Sequence, residues 1–302
     1  MNDKKKIRTD GKKIGLFIIC NQIFFQVGTI VMLLVLVNIF ANLNVSKEIS
    51  DTSMFLASDM MQLIAGTMFI ILFLRNRNYL SDIPKNKIKL LDFIKAFLVI
   101  LGANMIVSMV EFIVQRLFGI HLANIGVSML IMPGNMWIML FLIAIFPAII
   151  EEFLYRGIIY RIMREHGIYY AMVGSSLIFG LIHMNFVQTP FAFVLGIVNC
   201  YLYEKTGKLR YSMIAHFLNN SLIIIMGVLP ISSFVSNGIE VILGLVYVVV
   251  IFILCVKYKD ECKKLFEKIK MEKEKIYYFL TSISMIILVI IYLIVAVLMV
   301  KL

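Results

Sequence analysis

The chain has 302 residues, of which 61% are hydrophobic and 16% are charged, whereas soluble proteins average about 45–50% and about 25%. A compact chain of this length cannot bury so much apolar surface in one core, so most of it must face lipid. The net charge of +11 suits either nucleic acid or anionic lipid as a partner. The positions of the charges along the chain decide between the two. The four cysteines have no CxxC spacing, which argues against a disulfide framework or a thiolate metal site.

Nine stretches are apolar enough to be membrane helices, the element that satisfies its own backbone hydrogen bonds in lipid. They lie at about 14–42, 55–74, 90–118, 137–160, 168–187, 190–204, 210–229, 238–256 and 276–300. Because 190–204 is short, eight spans or a re-entrant segment remain open. We predict an all-α, polytopic bundle of eight to nine spans. Its parts are a basic tail at 1–13, N-terminal membrane helices at 14–118, a catalytic core at 137–229 and C-terminal helices at 238–302.

The basic residues predict the orientation of this bundle. They lie in the N-terminal tail, after the second, fourth and sixth stretches, and in segment 257–275. Since positively charged loops stay in the cytoplasm, we predict a cytoplasmic N-terminus and a multi-pass protein of the cell membrane. Orientation and anionic lipids then account for the charge, and no nucleic-acid partner is expected. Segment 257–275 is interpreted either as an amphipathic helix on the membrane surface or as a solvated connector.

Ionisable groups in lipid are costly, so each one inside an apolar stretch is a functional candidate. The candidates are Glu151, Glu152 and Arg156 in the fourth stretch, His183 in the fifth, and His216 and Asn220 in the seventh. The spacing of Glu152 and Arg156, with the acid first, favours an ion pair on one helix. Glu151 is turned by about 100° from Glu152 and can face a cavity.

This set of side chains suits hydrolysis of a peptide bond. A carboxylate can take a proton from water, and an imidazole or amide can orient the water or stabilise the oxyanion. Two histidines and one glutamate, with one position open, also fit catalytic zinc. The same groups could form an ion pathway, so the residues alone leave a hydrolase and a transporter open.

Three segments resemble the motifs of one protein family. Glu151-Glu152-Phe-Leu-Tyr-Arg156 resembles EExxxR, Phe179-Gly-Leu-Ile-His183 resembles FxxxH, and His216-Phe-Leu-Asn-Asn220 resembles HxxxN. These are the motifs of the CPBP intramembrane proteases, the CAAX proteases and bacteriocin-processing, Abi-type proteins, related to the type II CAAX prenyl endopeptidases. The motifs occur in the expected order within about residues 140–225.

The resemblance implies cleavage, within the membrane, of a peptide or of a prenylated protein tail. Glu151 would be the base, Glu152 and Arg156 its supporting pair, and His183 a partner of the water or metal. His216 and Asn220 would bind the metal or form the oxyanion site. If the reaction needs a metal, Glu151, His183 and His216 would bind it, with zinc as the expected cofactor; otherwise none is expected. A bacteriocin-immunity protein, acting by interaction, is the alternative within the same family.

Two features remain outside this interpretation. Glu111 and Asp59 lie in apolar stretches but in none of the motifs. We expect them to support the site residues or the fold, and a role in gating the substrate is the alternative. Counting about 1.5 Å per residue, His216 lies roughly 10 Å from the cytoplasmic end of its helix and His183 roughly 20 Å from that side. Helix tilt or uneven helix ends must bring the two histidines together if they share a site.

Overall fold

In the computed structural model, the described residues are 3–43, 85–122, 136–228 and 233–301, with 53, 57, 60–62, 64–68, 70–71 and 83. The all-α fold is confirmed, and the described strands are two antiparallel pieces of two residues each, His121–Leu122 and Val300–Lys301. The helices are α1 (Asp3–Leu43), α2 (Leu90–Phe118), α3 (136–164), α4 (Ile168–Leu181), α5 (Gln188–Thr206), α6 (Leu209–Val228), α7 (Ser233–Lys257), α8 (Lys259–Met271), α9 (Lys273–Leu280) and α10 (Ile283–Leu298).

Three described helical segments are long and apolar enough to cross a membrane: Asp3–Phe40, Leu90–Phe118 and Gly238–Lys257. Helices α9 and α10 form a fourth candidate if they are counted together, but they are bent by 76°. The apolar stretch 276–300 is therefore divided between two helices, and its crossing of the membrane as one span stays a prediction. The count of eight to nine spans and the cytoplasmic N-terminus stay predictions. Much of the second stretch, including Asp59, lies outside the described residues.

The basic N-terminal segment is helical and continuous with the first apolar stretch. Helix α1 begins at Asp3, so residues 3–13 are its first turns and not a separate extended tail. Its buried stripe of Ile7, Ile14 and Ile18 packs in the same core as Phe279 of α9 and Met285 of α10. This contact holds the two ends of the chain against each other, and most of the remaining apolar surface of α1 is exposed, as a lipid-facing helix requires.

Helix α3 carries the EExxxR motif and is widened at two places. Leu140–Ile145 and Phe153–Tyr160 are π-helical, and Phe146–Glu152 between them is α-helical. Pro147 is one cause of the first widening, because it has no N–H to donate to the carbonyl of Ile143 one α-turn earlier. The widened helix presents its polar side chains to α4, α5 and α6.

Tight turns connect the three helices that face α3. Gly207 ends α5 with φ of 63°, and its N–H bonds the carbonyl of Tyr203. Helices α4 and α5 approach closely where Gly196 meets Ser176.

The fifth stretch, 168–187, was expected to be one span, but α4 ends at Leu181. His183 lies in the following turn, because the side-chain oxygen of Asn185 accepts hydrogen bonds from the N–H groups of Val187 and Gln188 and starts α5 there.

Helix α7 contacts another apolar helix, whereas helix α8 is exposed. Helix α7 packs along α2, with Gly102 against Tyr247 and Gly244 against Met109. Helix α8 covers most of segment 257–275, and none of its residues is buried. Contact of α8 with a membrane surface stays a prediction.

Candidate active site

The Glu152 carboxylate is the centre of the polar cluster. Both Glu152 and Arg156 are almost wholly buried, and Nη1 of Arg156 donates a 2.8 Å hydrogen bond to Oε1 of Glu152. The ion pair expected from their spacing is therefore present. The Arg156 guanidinium also lies over the Phe179 ring, 4.4 Å from its centroid. The positive charge thus has both a carboxylate and an aromatic face as partners.

The same oxygen of Glu152 joins three helices. Besides Arg156 of α3, it accepts a 2.9 Å hydrogen bond from Nδ2 of Asn199 on α5 and a 3.0 Å bond from Nδ1 of His216 on α6. Three donors fix this carboxylate in place, so Glu152 is suited to hold the other groups and not to move protons. Asn199 was not among the predicted site residues, although an asparagine inside the short sixth stretch is a signal of the same kind as Asn220.

Glu151 has different surroundings. Its side chain is 12% exposed, its Oε1 accepts a 3.1 Å hydrogen bond from Nε2 of Gln62, and its Oε2 lies 3.9 Å from Nε2 of His216. One oxygen is thus anchored, and the other faces an imidazole without a direct hydrogen bond. Gln62, in the second stretch, was also missed, although its amide in an apolar run marked it as a candidate.

The hydrogen bonds of the two histidines assign their protons. Nδ1 of His183 lies 2.8 Å from the Phe179 carbonyl, which can only accept, so this nitrogen carries hydrogen. Nδ1 of His216 likewise donates to the Glu152 carboxylate. In both neutral rings Nε2 therefore has a free lone pair. Two acceptors, Nε2 of His216 and Oε2 of Glu151, face each other, which favours a water or a proton between them.

The ring of Phe179 lies against both histidines. Its ring centroid lies 5.2 Å from that of His183 and 5.8 Å from that of His216, edge to face with both. The bond from Nδ1 of His183 to the Phe179 carbonyl holds the His183 ring beside the Phe179 ring.

Asn220 has a contact that spacing alone did not indicate. Its Nδ2 donates a 2.9 Å hydrogen bond to the carbonyl of Ile143, the group that Pro147 leaves without its α-helical donor. Its Oδ1 accepts from Asn219, whose own Oδ1 accepts a 2.8 Å bond from Asn104 of α2. This chain of amides ties α2 and α6 to the π-helical part of α3. The expected role of Asn220 at a metal or an oxyanion stays a prediction.

The three side chains expected to bind a metal were Glu151, His183 and His216. Within the described part of the chain, no group of three His, Cys, Asp or Glu side chains is spaced to hold a metal ion. Nε2 of His216 and Oε2 of Glu151 are 3.9 Å apart, slightly farther than the about 3.3–3.6 Å that separates two ligands of one tetrahedral zinc ion. The expected binding of zinc stays a prediction. Glu111 lies on α2, outside this cluster, and is half-buried.

Comparison with known proteins confirms the resemblance that the motifs indicated. Residues 133–222 match the model of a family described as type II CAAX prenyl endopeptidase Rce1-like. YdiL of Bacillus subtilis (strain 168), provisionally named a membrane peptidase, is 26% identical over 111 residues, 35% of this chain and 46% of that protein. The membrane-embedded CAAX protease MroQ of Staphylococcus aureus (strain USA300) is 25% identical over 178 residues, 55% of this chain and 71% of that protein. No solved structure matches the chain.

Proposed function

We propose that this chain, whose centre resembles the CAAX prenyl endopeptidases, is a multi-pass endopeptidase of the cell membrane that cleaves a peptide or a lipidated protein tail. The observation that supports the proposal best is the unequal environment of two neighbouring carboxylates. Glu152 is fixed by three donors, whereas Glu151 keeps one oxygen facing His216 at 3.9 Å. A hydrolase needs such a division between a fixed charge and a group that exchanges a proton.

The first step follows from the proton assignments. A water between Glu151 and His216 donates one hydrogen to Oε2 of the carboxylate and the other to Nε2 of the imidazole, since both atoms are acceptors. As the water oxygen attacks the carbonyl carbon of the substrate, its proton passes to Glu151. The carbonyl oxygen becomes an oxyanion, and the new C–O bond completes a tetrahedral intermediate.

The second step returns the proton. The intermediate collapses, the C–N bond breaks, and Glu151 protonates the leaving amine, which regenerates the carboxylate. His183 keeps its proton on Nδ1, where it is bound to the Phe179 carbonyl. Its Nε2 is then an acceptor that orients the water or the substrate N–H. Gln62 holds the opposite oxygen of Glu151 throughout.

The proposal is tested by comparing the peptides of cell membranes from four strains. These carry the wild-type chain, a deletion, Glu151→Gln, and the control Glu111→Gln, which changes a half-buried membrane carboxylate outside the cluster. We expect one or more peptides to remain uncleaved in the deletion and Glu151→Gln strains and to be cleaved in the other two. Complete processing by Glu151→Gln, with normal expression, would show that the chain acts as a transporter or by interaction instead.

A further inference from the structure

A groove of about 720 Å³ lies between the first turns of α1 and the start of α10, away from the candidate active site. Four of the side chains that line it are basic: Lys4, Lys5, Arg8 and Lys12. No carboxylate is among the described residues that line it. With about 100° per residue, the four basic residues occupy one arc of about 100° on α1. The groove therefore concentrates positive charge on one face of one helix.

The acidic residues of α1 do not neutralise this face. Asp3 and Asp10 lie on the opposite side of the helix, where they contact the two ring nitrogens of His166 at 3.1 and 2.9 Å. Lys4 and Arg8 contact the ring of Tyr278, at 4.6 and 5.4 Å from its centroid, which fixes one wall of the groove and removes no charge. The charges of the groove remain available to an anion.

The opposite wall adds hydrogen-bond donors. Ser282 and Ile283 line the groove at the N-terminus of α10, and no side chain caps this terminus. The first N–H groups of a helix have no partner within it and attract anions. Ser282 is itself 5% exposed, and its hydroxyl has no hydrogen-bond partner among the described residues. A buried hydroxyl without a partner at the end of a helix is a second feature expected of an anion site.

The groove is held rigidly where both helices become apolar. A Cβ atom on Gly11 would lie 2.8 Å from Oγ of Ser282, and one on Gly15 would lie 2.7 Å from Oγ of Ser284. Ser284 also donates a 2.8 Å hydrogen bond to the carbonyl of Lys12. The continuous apolar parts of the two helices begin at Ile14 and Ile283, so the groove lies at the level where a lipid headgroup would be.

We propose that this groove binds the phosphate of an anionic lipid headgroup. Lysine, arginine, hydroxyl and helix N–H groups are the donors that phosphate takes in proteins. The position at the start of two apolar helices favours a lipid over a soluble phosphate. Such a lipid would join α1 to α10 at their polar ends. The inference does not depend on peptidase activity.

The test uses the full chain, purified in detergent, and phosphatidylglycerol as the probe, with binding counted by native mass spectrometry. The variant Lys5→Gln/Lys12→Gln removes two charges of the groove and leaves the Tyr278 contacts of Lys4 and Arg8. Because each basic residue near an anionic surface contributes about 1 kcal/mol, affinity should fall about ten- to thirtyfold. The control Lys85→Gln/Lys87→Gln removes the same charge from exposed positions before α2 and should leave affinity within about twofold.

Two further arms separate the sources of the phosphate. Phosphatidylcholine should bind at least tenfold more weakly than phosphatidylglycerol, and millimolar inorganic phosphate should not displace the lipid. Equal affinity of the wild-type chain and the groove variant would overturn the site. An equal loss in the Lys85→Gln/Lys87→Gln control would show that net charge, not the groove, attracts the lipid. Displacement by inorganic phosphate would overturn the assignment to a lipid. A melting curve of each variant establishes that the chain is folded.

Discussion

Nε2 of Gln62 donates a 3.1 Å hydrogen bond to Oε1 of Glu151. This bond comes from the second apolar stretch and anchors the oxygen of Glu151 that does not face His216. It orients a carboxylate that α3 alone would leave free to turn. Gln62 is therefore a positioning residue for the proposed base.

Replacing Gln62 by leucine should lower kcat about ten- to a hundredfold, as the loss of other outer hydrogen bonds to reacting groups does, and should change KM little. The carboxylate would still be present but would adopt more orientations. The measurement is cleavage of the peptide that the membrane comparison identifies. Gln115→Leu, at an exposed position of α2, is the matched control. A fall in KM and kcat together, or no effect, would show that Gln62 does not act through Glu151.

Glu152 and Glu151 should differ in what their loss does to stability. Glu152→Gln leaves the guanidinium of Arg156, 1% exposed, without its charged partner. Breaking a buried pair on one side costs about 3–5 kcal/mol. Glu151→Gln keeps a partly exposed side chain and should cost less than about 1 kcal/mol. Unfolding of both variants in the same detergent measures the difference, and equal destabilisation would contradict the structural role of Glu152.

Two glycine substitutions should have opposite effects. A Cβ on Gly196 would lie 2.7 Å from Cβ and 3.0 Å from Cα of Ser176, so Gly196→Ala must push α5 away from α4. We expect a loss of about 1–3 kcal/mol, as in other overpacked sites. Gly238 has nothing within 4 Å of the same position. Gly238→Ala should stabilise α7 by about 0.5–1 kcal/mol. Melting temperatures of the two variants that move in the same direction would refute this account.

His166 should make stability depend on pH. Hydrogen bonds that the His166 ring donates to Asp10 and to Asp3 raise the pKa of His166 above its ordinary value of 6.5, although burial opposes this. A raised pKa stabilises the protonated, folded form. The contribution is complete below pH 6.5 and is lost as the pH rises through the raised pKa. It links α1 to the turn between α3 and α4.

The measurement is thermal unfolding on both sides of that pH range. The wild-type chain should lose stability toward alkaline pH, and His166→Gln should remove most of this slope. Asp10→Asn is the second variant, since it removes the larger of the two contributions and should flatten the slope in the same way. A slope that survives both substitutions would assign the pH dependence to other groups.

Much of the candidate site was predictable, because its residues are unusual for where they lie. Ionisable groups within apolar stretches are costly in lipid, so their positions alone identify them as candidate site residues. The four-residue spacing of Glu152 and Arg156 predicts their ion pair correctly. Asn199 and Gln62 have neutral side chains, so an amide in a long apolar run is a weaker signal. They were identified only when their contacts with the two glutamates were observed.

The sequence by itself determined that this is an apolar, helical chain with a basic N-terminal segment and a small set of polar groups around three motifs. Those properties follow from composition and from spacing along single helices. Only the tertiary structure decided that α4 stops before His183, that Phe179 lies against both histidines, and that Asn220 bonds the Ile143 carbonyl freed by Pro147. Such relations depend on the angle, depth and widening of helices packed together, and no local pattern of residues specifies these.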